Sequence, residues 1–283
     1  MTGTPTTPEG IRRAQRASWD TVAAGWHKWW PSMEAGSEQL TQRMLALGGL
    51  TEGARVLDVA TGIGEPALSA AEVVGPTGGV VATDVSEAML DVARQRVADA
   101  GVTNVWLVAC DERLAGIEGP VDAVLSRWGV MFFGDVPGFL ARARELLRPG
   151  GRLALALWAS PAQVPMATAF AAAARVLEIP SPPADAPGPF RFADVDAFAA
   201  MLADAGFTDV THDTATVRLQ FDSAETFTRF IGDIAAPIRE WIAQQPARAD
   251  EVWAAVTDAV RPFEGAGGLV MDNVAPVVAA VRP

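Results

Sequence analysis

The segment Val56-Leu57-Asp58-Val59-Ala60-Thr61-Gly62-Ile63-Gly64-Glu65 constrains the fold of this chain more than any other. Val56 to Val59 reads as a buried strand, and Gly62 and Gly64 stand where the chain must turn sharply into a helix. Glycine permits positive φ and lets a ligand come close to the backbone. A glycine pair after a strand is weak evidence alone, because many tight turns need one. Its surroundings sharpen it. Asp58 sits at the strand end, Ala67 occupies the region where a dinucleotide fingerprint has its third glycine, and Asp84 ends the next apolar run. An acid at that second position accepts hydrogen bonds from ribose hydroxyls in Rossmann-type sites. Glu65 sets a negative charge at the helix N-terminus, which a pyrophosphate would avoid. The pattern therefore suits a nucleoside without phosphates better than a dinucleotide.

The rest of the chain supplies the frame for such a loop. Short apolar runs at 55–59, 80–83, 105–108, 121–125 and 152–158 alternate with stretches of helical pattern at about 66–74, 86–100 and 136–147. Ser86 is placed to cap the second of these helices and Gly101 to end it. Strands separated by amphipathic helices mean a parallel sheet covered on both faces. Upstream, Ile11 to about Trp30 and Glu38 to Leu47 read as two helices. Beyond Trp158 the rhythm breaks into an alanine-rich helix at 161–179, a proline-rich loop at 180–189, a helix at 194–205, a strand at 209–221, helix to about 260 and a last strand near 274–281. The expectation is α/β: a Rossmann-like, seven-stranded, mostly parallel sheet with helical cap insertions. The chain is read as one catalytic domain in three parts: a helical lid at 1–50, a cofactor-binding core at 51–160, and cap insertions with sheet-completing strands at 161–283.

Composition excludes several functions. Net charge is −12, a field that repels a phosphate backbone, and no basic patch offsets it, so no nucleic-acid partner is expected. No apolar run approaches the ~20 residues of a membrane span. Met1 to Gly10 lacks the basic start and apolar stretch of a secretory signal, which points to the cytoplasm. Cys110 is the one cysteine, so there is no internal disulfide. No His, Cys and carboxylate cluster has metal-ligand spacing, and no metal is expected.

Four ordered motifs carry a family resemblance. Residues 56–68 resemble the first motif of class I S-adenosylmethionine (SAM)-dependent methyltransferases, in the form found in ubiquinone and menaquinone biosynthesis methyltransferases. Val80-Val81-Ala82-Thr83-Asp84-Val85-Ser86-Glu87-Ala88-Met89-Leu90 is similar to their second motif. Residues 121–133 and 147–153 resemble the fourth-strand and post-helix motifs. The resemblance implies SAM as cofactor and methyl transfer as activity. It implies that Gly62 and Gly64, with Thr61 between loop and strand, pass the methionyl part. Asp58 would orient the loop or the amino group, and Asp84 would take the ribose hydroxyls. Val85 and Met89 would pack on adenine, although Met89 also suits a helix core. Asp111 falls where the family places an acid near the adenine amino group, in a segment that departs from the usual pattern. Ser126 and Arg127 would border the methyl group.

Trp19, Trp26 and Trp30 are spaced by seven and four and so share one helical face. That face either packs on the core or forms a lid, where tryptophan attracts the sulfonium cation. Relatives place an N-terminal aromatic helix over SAM, which supports Trp19 and Trp26 in the lid and leaves Trp30 to the substrate. His27 is the candidate catalytic base, or else a solvated helix residue. His212 is read as surface. Arg127 and Arg191 could hold an anionic group or form salt bridges, and Cys110 is read as packing. Trp128, Phe132 and Phe170 are the leading candidates to line an apolar acceptor pocket at the carboxyl edge of the sheet. The expected reaction is methyl transfer to carbon or oxygen of an apolar small molecule in secondary metabolism. Quinone-ring C-methylation is the alternative, as is a SAM-binding fold that catalyses cyclisation or regulates. Homodimerisation through the N-terminal helix is left open.

Overall fold

The computed structural model describes residues 7–183 and 185–283; the start of the proposed lid, residues 1–6, and Ala184 lie outside them. Seven strands form one continuous sheet in the order β3-β2-β1-β4-β5-β8-β6. The first five, β1 (Arg55–Val59), β2 (Gly79–Asp84), β3 (Val105–Ala109), β4 (Val121–Arg127) and β5 (Leu147–Ala156), run parallel. The long strand β8 (Gly268–Val281) pairs antiparallel with β5 and with β6 (Thr208–Phe221), and the two-residue β7 (Glu264–Gly265) folds back on β8. β1 lies between β2 and β4, so the order in which strands are added reverses there, and a crevice opens at the carboxyl ends of these parallel strands.

Burial explains why the central strands read as unbroken apolar runs. In β1 only Arg55 is exposed, and in β4 every residue but Asp122 is buried. Helices α3 (Ala67–Val74), α4 (Glu87–Asp99) and α5 (Val136–Leu146) cover the faces. Ser86 caps α4 by accepting from the Met89 N–H at 3.1 Å, and Asp135 caps α5 through Gly138. On α5 the apolar positions Val136, Phe139, Leu140 and Ala143 recur at three and four and are all buried.

The N-terminal helices break differently from the sequence pattern. α1 (Pro8–Asp20) stops at Thr21, and α2 runs unbroken from Ala23 to Leu47 with Pro31 inside it, joining what the sequence suggested were two helices. Val22 is fully buried at the break, in a small cluster with Ile63 and Met89. The gain from burying Val22 there, ~1.5–3 kcal/mol, turns the chain at this point.

The cap helices are α6 (Ala167–Val176), α8 (Ala224–Ile234), α9 (Ala236–Gln244) and α10 (Ala249–Val260), while α7 (Val195–Asp204) precedes β6. Trp29 joins the cap to α2, edge-on to Phe221 and Phe230, with its Nε1 donating to Asp233 at 2.8 Å. Asn273, fully buried, ties β8 to α6 by accepting from the Met166 N–H and donating to two backbone carbonyls. Among the described residues no helix is long and apolar enough to cross a membrane.

Candidate functional site

A cavity of about 940 Å³, counting its open mouth, lies at the carboxyl edge of β1, β2 and β4. Its floor is the glycine loop. Gly62 has φ +57°, and a Cβ there would meet nothing within 4 Å, so the missing side chain leaves the backbone open. Gly64, φ +103°, serves another purpose: it faces Ala93 of α4 at packing distance and does not border the cavity. The two glycines thus divide the work of ligand approach and helix packing.

Asp84 is the most firmly built residue of the site. One carboxylate oxygen accepts from the Gly62 N–H at 2.8 Å and the other from the Ser86 N–H at 2.9 Å. Each oxygen keeps a second lone pair, so the group can accept from a pair of vicinal hydroxyls. Burial pushes its carboxyl up to about 6 against the pull of those backbone donors. Val85 and Met89 form the wall beside it.

Asp58 does not border the cavity. It lies beneath the loop, fully buried, with neither carboxylate oxygen hydrogen-bonded. Burial raises it to about 7, although Thr61 and the charge of Arg127 act the other way. Thr61 borders the cavity, and its hydroxyl is likewise without a partner. Ser126 also sits below the surface, its hydroxyl sealed and unpartnered. The remaining sealed, unpartnered side-chain atoms among the described residues are Trp26 Nε1, Trp128 Nε1 and Glu34 Oε2. Trp26, Trp128 and Thr61 border the cavity, and Asp58 and Ser126 are the last residues but one of β1 and β4 beneath it. Since such atoms cost ~1–3 kcal/mol each when left alone, their convergence on one place marks a ligand site.

The three tryptophans meet there by a route the spacing did not foresee. Trp19 is on α1, Trp26 and Trp30 are on α2, and the break between them still leaves all three on the cavity. Trp19 lies 6.3 Å from Trp26 and edge-on to Phe132 at 5.2 Å. Arg12 and Gln15 reach the cavity from α1 and were not anticipated. Their signal was present: positions 12, 15 and 19 follow the same helical spacing as the tryptophans. Glu112, also unanticipated and nearly buried, accepts from Arg12 Nε at 2.9 Å and from the Gly134 N–H at 3.2 Å, fastening α1 to two loops. Asp20 adds a second tie, accepting from the Ser86 hydroxyl at 2.5 Å.

Asp111 borders the cavity, yet Arg113 occupies its carboxylate from Nε and Nη2. Partial burial would raise that carboxyl, but the Arg113 hydrogen bonds and charge outweigh it and hold it below the usual range. Cys110 packs against the main core, as expected, and also borders the cavity; its thiol is pushed up by burial and then by Asp111, so it stays protonated. Arg127, Trp128 and Phe132 line the inner end, with Trp128 at φ +60° stacked on Trp158 at 4.5 Å. Arg191 lies elsewhere and donates to the Phe133 carbonyl.

Besides Asp58, Gly64 and Ser126, two further candidates lie off the cavity. His27 is exposed on α2 and does not border the cavity, because its helical position turns it away from the face that carries Trp26 and Trp30. Phe170 is on α6 in the cap, where it packs on the main core and not on the cavity. Among the described residues no histidine reaches the site, and no group of three His, Cys, Asp or Glu could hold a metal ion.

Strand order, the reversal at β1, and a nucleoside-sized crevice floored by a glycine loop define the Rossmann-like fold of SAM-dependent methyltransferases. A family profile described as the ubiE/COQ5 methyltransferase family matches residues 25–180. The ubiquinone/menaquinone biosynthesis C-methyltransferase UbiE of Pseudomonas putida (strain W619) is 30% identical over 215 residues, covering 70% of this chain and 78% of that protein. The chain belongs to the ubiE/COQ5 methyltransferase family. UbiE of Pseudomonas fluorescens (strain Pf0-1) is 33% identical over 153 residues, and there the match covers 53% of this chain and 56% of the relative, so the chain spans about half of that protein's length. In fold, the chain is similar to Haemonchus contortus phosphoethanolamine N-methyltransferase 2, solved with phosphomonomethylethanolamine and S-adenosylhomocysteine. The TM-score is 0.56 at 19% identity, covering 93% of this chain and 57% of that one.

Proposed function

We propose that this chain binds SAM and transfers its methyl group to carbon or oxygen of an apolar small molecule in the cytoplasm, in secondary metabolism. The observation that carries the reading is the gathering of unpartnered buried polar atoms around a cavity whose floor is open backbone at Gly62. SAM supplies an electrophilic methyl group on a sulfonium. Asp84 accepts from the ribose hydroxyls, with Val85 and Met89 against adenine. Gly62 and Thr61 pass the methionyl chain, and Asp58 below them draws the amino group or stiffens the loop; Gly64 and Ser126 support from beneath. Asp111 edges the adenine end. Trp19 and Trp26 close over the sulfonium, whose charge their ring faces attract. Residues 1–50 form the lid, 51–160 the cofactor core, and 161–283 the cap.

Trp30, Arg127, Trp128 and Phe132 then line the acceptor end. Among the described residues no histidine borders the cavity to act as base, so the chain contributes by holding the acceptor in line with the methyl group and excluding water. The lid ties through Glu112 and Asp20 support that exclusion. Quinone-ring C-methylation is a second reading, favoured by the relatives' names. The test is incubation with methyl-labelled SAM and a panel of quinols, phenols and polyketide aglycones. Label in an aglycone product supports the first reading, and label confined to quinols supports the second. Tight SAM binding with no labelled product would refute methyl transfer for that panel and favour cyclisation or regulation.

A further inference from the structure

Arg127 ends β4 and is 8% exposed. Its Nη1 donates to the Thr41 hydroxyl at 2.6 Å and the Ser37 hydroxyl at 3.3 Å, both on α2. Those acceptors are neutral. Among the described residues no carboxylate lies within ion-pair distance of Arg127, and its Nε and Nη2 have no hydrogen-bond partner. A buried cation without a counter-charge is expensive, and burial accordingly lowers the arginine's affinity for its proton. The acids that act on it from a distance do not offset this. Glu65 is taken by Arg96 and Ser69, and burial pushes both Glu34 and Asp58 towards their neutral forms.

The free edge has a specific shape. With Nη1 held by two hydroxyls, Nε–H and Nη2–H remain as the side of the guanidinium fork that meets a carboxylate through two parallel hydrogen bonds. Neither nitrogen is among the atoms sealed from solvent, and Arg127 borders the cavity, so the open side is the cavity side. Two rings flank it: the guanidinium carbon is 5.6 Å from the Trp30 ring centre, over which Arg96 also lies at 4.0 Å, and 5.3 Å from that of Trp128.

We infer that Arg127 receives a carboxylate carried by the methyl acceptor, whose aromatic or apolar body lies against Trp30 and Trp128. The inference rests on the methyl-transfer reading above and narrows its substrate to an apolar organic acid. A sulfonium and a guanidinium in one cavity place two positive charges close together, and an anionic acceptor balances them. The anchor also fixes the acceptor's orientation, which is the contribution a site without a base must make.

The probes are 2-naphthoate and its isosteric amide 2-naphthamide, titrated calorimetrically into the protein saturated with S-adenosylhomocysteine. Wild type binds the acid at least tenfold more tightly than the amide. Arg127→Met removes that preference, while Arg127→Lys, which keeps the charge and loses the fork, retains part of it. S-adenosylhomocysteine affinity of both variants stays within threefold of wild type. Equal binding of acid and amide to wild type overturns the inference, as does absence of naphthoate binding or a preference that survives in Arg127→Met. Should Arg127→Met fail to fold, the wild-type comparison and Arg127→Lys decide. If S-adenosylhomocysteine does not bind wild type, the methyl-transfer reading fails by itself, and the same acid–amide comparison in the ligand-free protein still judges Arg127.

Discussion

Replacing Asp58 by asparagine should make the ligand-free protein more stable at neutral pH while weakening its cofactor site. Asp58 is fully buried with no hydrogen bond to either oxygen, and burial raises its carboxyl to about 7. An unfolded aspartate titrates near 3.9, so about three pH units separate the two states, equivalent to about 4 kcal/mol. The folded value is the raised one. Below pH ~4 both states hold the proton and the group imposes no penalty. As pH rises towards 7, the unfolded chain releases its proton first and stability falls; above 7 the full penalty persists. Asparagine is neutral throughout. Its own buried amide costs ~1–3 kcal/mol if unpaired, leaving Asp58→Asn ahead by ~1–3 kcal/mol at pH 8. Equilibrium urea unfolding of both proteins at pH 5 and pH 8 isolates the effect, because other titrating groups cancel in the difference. That difference should move in favour of the variant by about 3 kcal/mol between the two pH values. A difference constant to within about 1 kcal/mol would refute the burial argument. Binding of S-adenosylhomocysteine, measured alongside, should weaken in the variant if Asp58 draws the amino group.

Glu112→Ala removes the acceptor shared by Arg12 and the Gly134 N–H. Amide hydrogen exchange in α1 should quicken at least tenfold, with a stability loss of ~1–3 kcal/mol, and unchanged α1 protection would mean that the tie does not hold the lid. His27→Ala, at an exposed position off the cavity, should leave kcat within about twofold of wild type in the labelled-methyl assay; a hundredfold loss, the size expected of a base, would restore that role. Phe139→Ala empties a core position that is 1% exposed and packed edge-on to Phe133 at 4.9 Å, and should cost ~3–5 kcal/mol in urea unfolding. A loss under about 1 kcal/mol there would mean that the α5 contact with the sheet is looser than described.

What the chain order alone determined was the sheet and the half of the site built on strand ends. β1, the loop through Gly62, and Asp84 at the end of β2 are neighbours through short connections, so strand periodicity, glycine φ freedom and a capping serine suffice to place them. The other half depends on where separate elements dock. Burial of Val22 against Ile63 and Met89 breaks the N-terminal helix and sets the phase of α2, which brings Trp30 to the cavity and turns His27 to solvent. The return of α1 across the crevice brings in Arg12 and Gln15, and Glu112 becomes meaningful only once Arg12 is beside it. Phe170 is apolar enough for a pocket, but α6 packs it on the main core. Asp58 and Ser126 stand one residue before the ends of β1 and β4, and whether such a residue touches ligand or lies beneath the floor turns on about one side-chain length. The free edge of Arg127 is of the same kind. Residue type shows that a guanidinium follows β4; only the approach of Ser37 and Thr41, some ninety residues away along the chain, decides which of its hydrogens remain for a ligand.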